Sequence, residues 1–350
     1  MMFFLPLLAI GAEVSANQTL PLRDAADHRK ILLGTAVSAW CLKEADYSKA
    51  LGREFNQVEC ENEMKFASLH PRAGNDSTAY DFTAADAIVD FAHAHKMKVR
   101  GHCLVWHSQV SPWVTQTKLT PDQLHSALES HVLTVGKRYA GKVYAWDVVN
   151  EAFEWNGKLR KSVWYDAPGI GLKDQGTAYI EQSFRWARQA DRHAKLYYND
   201  YSSEAINAKS DAIYAMAKDF KARHVPLDGI GFQMHLQLGS DTPENLASIK
   251  QNFDRFAALG VDLQVTELDV ALPDNKPETL ERQAKVYRDV VDLCLSEKRC
   301  TGIQIWGFTD KHSWISGFSR GKMGWALILD ENYAPKPAYS QILESLMQKR

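Results

Sequence analysis

The hydrophobic period of this chain switches between two and 3.6 over nearly its whole length. Short β-branched and aromatic runs at 32–38, 57–63, 98–106, 143–151, 195–201, 229–236, 262–270 and 301–309 read as strands. Amphipathic stretches at 83–96, 120–139, 180–193, 206–224, 243–259, 277–295 and 337–348 read as helices; the second opens Thr120-Pro121-Asp122, a capped helix start. Strands that alternate with helices call for a parallel sheet. Eight is the number that closes a (β/α)8 TIM barrel, whose working residues sit at the C-terminal ends of the strands. An open doubly wound sheet is the alternative, but no GxGxxG follows the first strand. No linker or composition shift divides residues 20–350, and 350 residues with 45% apolar content can bury one large core. The fold class expected is a single α/β barrel.

Two of the strands end in carboxylates where a buried strand usually ends in a turn. One is 144–151, finishing in Asn150 and Glu151; the other is 263–270, which carries Glu267 and Asp269. A pair of carboxylates delivered by two strands of one sheet suits acid-catalysed opening of an acetal, one group protonating and one attacking or activating water. Side chains at i and i+2 share a strand face. By that rule Asp147 pairs with Glu151, Glu267 with Asp269, Gln233 with His235, and His102 with Leu104 and Trp106. Asn150 falls on the opposite parity from Glu151. Taken singly, a strand-end Asp is often a cap and a lone His a satisfied core residue; the functional reading rests on the set converging. Like charge and partial burial should push the two glutamate pKa values apart and leave one protonated. His235 can bridge Asp269 to Glu267. A metal site made of these carboxylates and His102 is the rival reading. With neither HExxH nor an HxH strand present, no metal or cofactor is expected.

A formal charge of −2 and no run of five like charges argue against nucleic acid or an acidic membrane as partner. Ten tryptophans are many for this length and offer apolar platforms for a ligand such as a sugar. Residues 1–10 are apolar but too few to span a bilayer, and 14–16 give a small-residue cleavage pattern. A signal peptide at 1–16, atypical in having no Lys or Arg before its apolar run, a catalytic domain at 17–350 and secretion are expected. Cys294 and Cys300 are spaced to close a short loop, whereas Cys41, Cys60 and Cys103 read as buried free thiols.

From about residue 33 to 339 the chain resembles glycoside hydrolase family 10, the secreted endo-β-1,4-xylanases. The likeness is carried in order by Gly34-Thr35-Ala36, Glu61-Asn62 with Met64-Lys65, Arg100-Gly101-His102 through Trp106 to Gln109, and Trp146-Asp147 to Asn150-Glu151. Asn199-Asp200-Tyr201, Gln233 with His235, Thr266-Glu267 with Asp269, Trp306 to Trp314, and Pro335 to Tyr339 complete it. The resemblance implies that Glu151 is the acid/base and Glu267 the nucleophile of a retaining reaction. It implies that His102, Asn150, Gln233, His235, Trp106, Trp306 and Trp314 surround the sugar at the cleavage point. Glu61, Asn62, Lys65 and Gln109 would hold the next sugar on the non-reducing side, Asp147 would support His102, and Asp269 would support His235. It further implies a Cys294–Cys300 bond, a monomer, and xylan and xylo-oligosaccharides as partners. A retaining β-1,4-glucanase or aryl β-glycosidase could use the same groups; a silent xylan-binding protein is disfavoured by the presence of both glutamates. Glu59, Cys60, Phe66 and Cys103 depart from the usual family residues, and Glu59 would add a charge near the sugar-binding strand.

Overall fold

The computed structural model describes residues 20–348; the leader expected at 1–16 lies outside them. Eight parallel strands form the barrel: β1 (Leu32–Val37), β2 (Gln57–Cys60), β3 (Lys98–Trp106), β4 (Ala145–Asn150), β5 (Lys195–Asp200), β6 (Gly229–Phe232), β7 (Asp262–Ala271) and β8 (Cys300–Ile305). Each pairs with its sequence neighbour, β8 returns to β1 through Leu33 opposite Ile303, and β6 reaches β7 through Ile230 opposite Leu263. The barrel is therefore closed and no strand edge is left open, which removes the usual hazard of an unpaired edge.

Helices cover the outside. Ala45–Glu54, Thr83–Ala94, Pro121–Arg138, Ala178–Ala190, Ala208–Ala222, Pro243–Ala258 and Pro277–Ser296 fall between successive strands. Pro337–Met347 follows the last strand, next to the N-terminal helix Leu22–Arg29. Not among the helices read from sequence are the first inter-strand helix, unbroken through Gly52, and the eight-residue N-terminal helix. Glu54 ties them: its carboxylate accepts Leu22 N–H at 3.0 Å and the Tyr339 hydroxyl at 2.9 Å. Cys294 and Cys300 form a disulfide between the helix Pro277–Ser296 and β8, while Cys41, Cys60 and Cys103 are buried and free.

Four strands end earlier or break where the sequence suggests continuation. β2 stops at Cys60 and β8 at Ile305, β4 covers only Ala145–Asn150, and 229–236 is split by Met234, whose φ is 58°. After Met234 a short segment, His235–Gln237, pairs again with β7, His235 standing opposite Asp269. In β4, Asp147 is opposite Tyr197 and Val149 opposite Tyr198, so Val148 is an extra residue, a bulge that re-aims the side chains after it.

Below the mouth the lumen is polar. Arg100 is fully buried, makes hydrogen bonds to both carboxylate oxygens of Asp147 and to Gln264, and lies over the Tyr197 ring. Gly101 is required beside it, because a Cβ there would come within 2.2 Å of the Trp146 indole. Glu59, 3.6 Å from Arg100, is buried as well. Burial pushes its carboxyl well above the ordinary range; Arg100 pulls the other way, but Asp147 and Glu267 add to the rise. The extra carboxyl seen in the sequence is thus favoured in its neutral form, beneath the site and not as a surface charge.

Candidate active site

A cleft of about 580 Å³ opens at the C-terminal ends of the strands. Glu151, Glu267, Asn150, His102, Gln233, His235, Glu61, Asn62, Lys65, Trp106, Gln109, Trp306 and Trp314 all line it. Asp147 and Asp269 stand behind, bonded to lining residues. Tyr201, Ser202 and Phe318 also line it and were not singled out from sequence. Tyr201 shares parity with Asn199, a signal that points to the mouth; Phe318 ends the five-residue helix Trp314–Phe318, too short to show a period.

Glu151 follows the last residue of β4 with φ 56°, a left-handed conformation uncommon for a side chain this size. Its N–H donates to Asn199 O at 2.9 Å, and Arg160 Nε donates to its carbonyl at 2.9 Å. The bulge at Val148 and this turn place Asn150 and Glu151 in the same cleft, although strict alternation separates them. Trp106 Nε1 donates to Glu151 Oε2 at 2.9 Å, and Gln233 Nε2 and Asn150 Nδ2 donate to Oε1 at 3.0 and 3.3 Å. Burial raises the Glu151 pKa, but the Gln233 and Trp106 donors, helped by His107 and His102, bring it below the ordinary value. The sequence does not tell which glutamate of the pair stays protonated; at Glu151 three N–H groups favour the carboxylate in the free site.

Glu267 is held differently. Asn199 Nδ2 donates to Oε1 at 2.7 Å, and His235 Nε2 is 3.1 Å from Oε2. The other ring nitrogen of His235 is 2.9 Å from Asp269 Oδ2, which also accepts Trp314 Nε1 at 2.9 Å. Burial lowers the His235 pKa, but Asp269 and Glu267 outweigh it and raise it to about 10. The ring is then an imidazolium at neutral pH, donating to a carboxylate on each side. Gln233 and His235 reach the cleft across the Met234 kink, so their shared orientation comes from a broken strand and not from period-two alternation.

His102 Nδ1 lies 3.0 Å from Asp147 Oδ2. Burial raises Asp147, and Arg100 and His102 more than offset it, holding the carboxyl below its usual range. Glu59, His102 and Asp147 offer ligand atoms within 4.8 Å of one another; the metal site weighed from sequence joins the strand-end carboxylates to His102 and does not include Glu59. The Arg100 guanidinium already pairs with the Asp147 carboxylate, lies 3.6 Å from the Glu59 carboxyl, and supplies positive charge there. Leu104 packs in the apolar core instead of joining His102 and Trp106, because the β3–β4 register shifts between His102 and Val105.

On the β2–β3 side, Asn62 Oδ1 accepts Lys65 Nζ at 3.1 Å and Gln109 Nε2 at 3.0 Å. Lys65 lies over the Trp106 ring at 4.7 Å. The loop is fixed by Glu63, which accepts Ala39 N–H at 2.7 Å. This end offers hydrogen-bonding groups above an aromatic floor, which suits a ring with hydroxyls at its edge and an apolar face.

Residues 21–345 match the model of the family described as Glycosyl hydrolase family 10. The endo-1,4-beta-xylanase B of Thermotoga neapolitana is 42% identical over 98% of this chain and 96% of its own. Among solved structures, native xylanase 10B of Thermotoga maritima is 44% identical with a TM-score of 0.86, covering 93% of this chain and 98% of that one. Xylanase 10B of Thermotoga petrophila RKU-1, in complex with xylobiose, is 43% identical with a TM-score of 0.87, covering 94% and 98%. Nearly the whole described chain takes part in each of these likenesses, and the chain belongs to glycosyl hydrolase family 10.

Proposed function

We propose that the protein is a retaining endo-β-1,4-xylanase. The observation that carries this reading is the contrast between the two glutamates. Glu267 is clamped by Asn199 and by the His235 imidazolium, which suits an ionised nucleophile aimed at the anomeric carbon. The hydrogen-bond donors to the Glu151 carboxylate are neutral N–H groups, and its side chain is 14% exposed against 6% for Glu267, which suits a group that gives and takes a proton.

In the first step Glu267 attacks the anomeric carbon as the glycosidic bond breaks, and Glu151 passes its proton to the departing oxygen. In the second, Glu151 takes a proton from water, whose oxygen displaces Glu267 from the sugar; two inversions give net retention. Glu151 must start protonated, so the donors that favour its carboxylate set an upper pH limit on the first step. Gln233 and Asn150 form one linked set with Asn199 between the glutamates, through Asn150 Oδ1. This set would hold the sugar and orient both carboxyls at once. His102, Trp306 and Trp314 would enclose the sugar at the cleavage point, and Glu61, Asn62, Lys65 and Gln109 its non-reducing neighbour.

Xylan as substrate is supported by the names of the relatives and by the xylobiose in the Thermotoga petrophila complex. Secretion is proposed on the sequence of 1–16. Products from xylan and carboxymethylcellulose should be compared side by side, with proton NMR of the first-formed anomer. Release of β-anomeric xylo-oligosaccharides from xylan is expected. An α-anomer would sink retention, and preference for the cellulose derivative would sink the substrate.

A further inference from the structure

Among the described residues, three Trp or Phe side chains are exposed: Trp40 at 58%, Trp155 at 64% and Phe318 at 76%. All three stand on loops that follow barrel strands, on the face that carries the cleft. Trp40 rests edge-on against His312, and Phe318 packs on Trp314. Trp155 is edge-on to Tyr201, with ring centres 5.5 Å apart, and Tyr201 lines the cleft.

The backbone under Trp155 is fixed on several sides. Phe153 and Leu159 form an antiparallel bridge, and Glu154 N–H donates to Lys158 O at 2.8 Å. Gly157 closes the turn with φ 76°; a Cβ there would come within 2.6 Å of Ala208 O. Arg160 clamps the base, donating to Glu151 O at 2.9 Å and to the Tyr201 hydroxyl at 2.8 Å. A large apolar ring is thus held in solvent by a hairpin with little freedom. Such a ring gives up hydrophobic stabilisation that a polar residue would not, and a rigid aromatic at a cleft is the usual means of binding a flat, partly apolar ligand.

We propose that Trp155 is a stacking platform for a xylose unit on the leaving-group side of the cleavage point, beyond Tyr201. The inference rests on the xylanase reading and adds a binding position to it. Direction follows from the fold. Glu61, Asn62, Lys65 and Gln109 follow β2 and β3, whereas Tyr201 follows β5, farther round the ring of strands on the other side of β4 and Glu151. Glu151, which would protonate the leaving oxygen, lies four residues before Trp155 on the same loop. A β-1,4 chain laid from Lys65 past Glu151 and Tyr201 therefore brings a later sugar onto the indole. The axial C–H faces of that sugar would meet the ring, and its hydroxyls would stay in water.

The test is the ratio of kcat/KM for xylohexaose to kcat/KM for an aryl xylobioside, whose leaving group is too short to reach Trp155. Trp155→Ala should lower this ratio roughly tenfold, the scale of losing one well-placed aromatic contact. Trp155→Phe should recover most of it, and melting temperatures of the variants should match wild type. An unchanged ratio, or equal losses on both substrates, would overturn the platform. Wild-type protein that leaves xylohexaose intact would instead defeat the xylanase reading itself.

Discussion

The indole N–H of Trp106 points at Glu151 Oε2 from 2.9 Å, so a residue lining the cleft also sets the charge of the proposed acid. Hydrogen bonds to a carboxylate favour its ionised form and lower its pKa. Trp106→Phe keeps a ring in place and removes the donor. The Glu151 pKa should rise, and activity that needs its protonated form should persist to higher pH. The alkaline limb of kcat/KM on a substrate with a poor leaving group checks this. A limb that stays put or moves to lower pH would contradict the role given to Trp106.

His131 should make the fold sensitive to acid. Its ring stacks on Phe66 at 4.2 Å and stands parallel to His70 at 5.7 Å, with neither ring nitrogen hydrogen-bonded. Burial, then the neighbouring His70, push its pKa well below the ordinary value, and burial lowers His70 too. An unfolded histidine titrates near about 6.5, so below that pH the unfolded chain binds more protons than the folded one. Stability is therefore full above this range and falls as the pH drops through it. His131→Phe should reduce the loss of denaturant midpoint between neutral and mildly acidic buffer. Equal losses in variant and wild type would refute it.

Opening the Cys294–Cys300 bond should lower stability by about 2–3 kcal/mol, the chain-entropy value for so short a loop. The double Cys→Ala variant, compared with oxidised wild type by denaturant titration, measures it. An unchanged midpoint would mean that β8 and its helix hold the loop without the bond.

Trp314→Ala should narrow the preference for xylobiosides over cellobiosides. The indole is fixed by its bond to Asp269, faces His235 with ring centres 5.1 Å apart, and has Phe318 behind it. A glucose unit adds a hydroxymethyl group that this wall would meet. Exclusion of one such group is worth about 1–3 kcal/mol, roughly ten- to two-hundred-fold. The gap should close mainly through loss of xylobioside rate, read from kcat/KM on the two aryl substrates. A constant ratio would remove Trp314 as the source of discrimination.

The barrel was legible because its signal repeats: the strands are short runs that carry β-branched or aromatic residues, and most of the helices between carry a clear apolar stripe. The cleft lining was legible because polar side chains at strand ends are unusual. What could not be read is where alternation fails. The extra Val148, the left-handed Glu151 and the Met234 kink each set the direction of a site residue, yet each depends on how neighbouring strands are offset. Asn150 is the clearest case, since parity turns it away and the bulge turns it back. Which way the Glu151 pKa moves was illegible for a related reason. The Trp106 and Gln233 donors come from other strands, and their distances belong to tertiary structure.

Arg160 marks a boundary for anyone redesigning this enzyme. One guanidinium fastens the Glu151 carbonyl, the Phe153 carbonyl and the Tyr201 hydroxyl. On the platform proposed for Trp155, exchanging the hairpin tip at 154–158 should change how long a chain the cleft prefers. A graft that replaces Arg160 as well would loosen the backbone turn that aims the proposed proton donor, and would trade reach for rate.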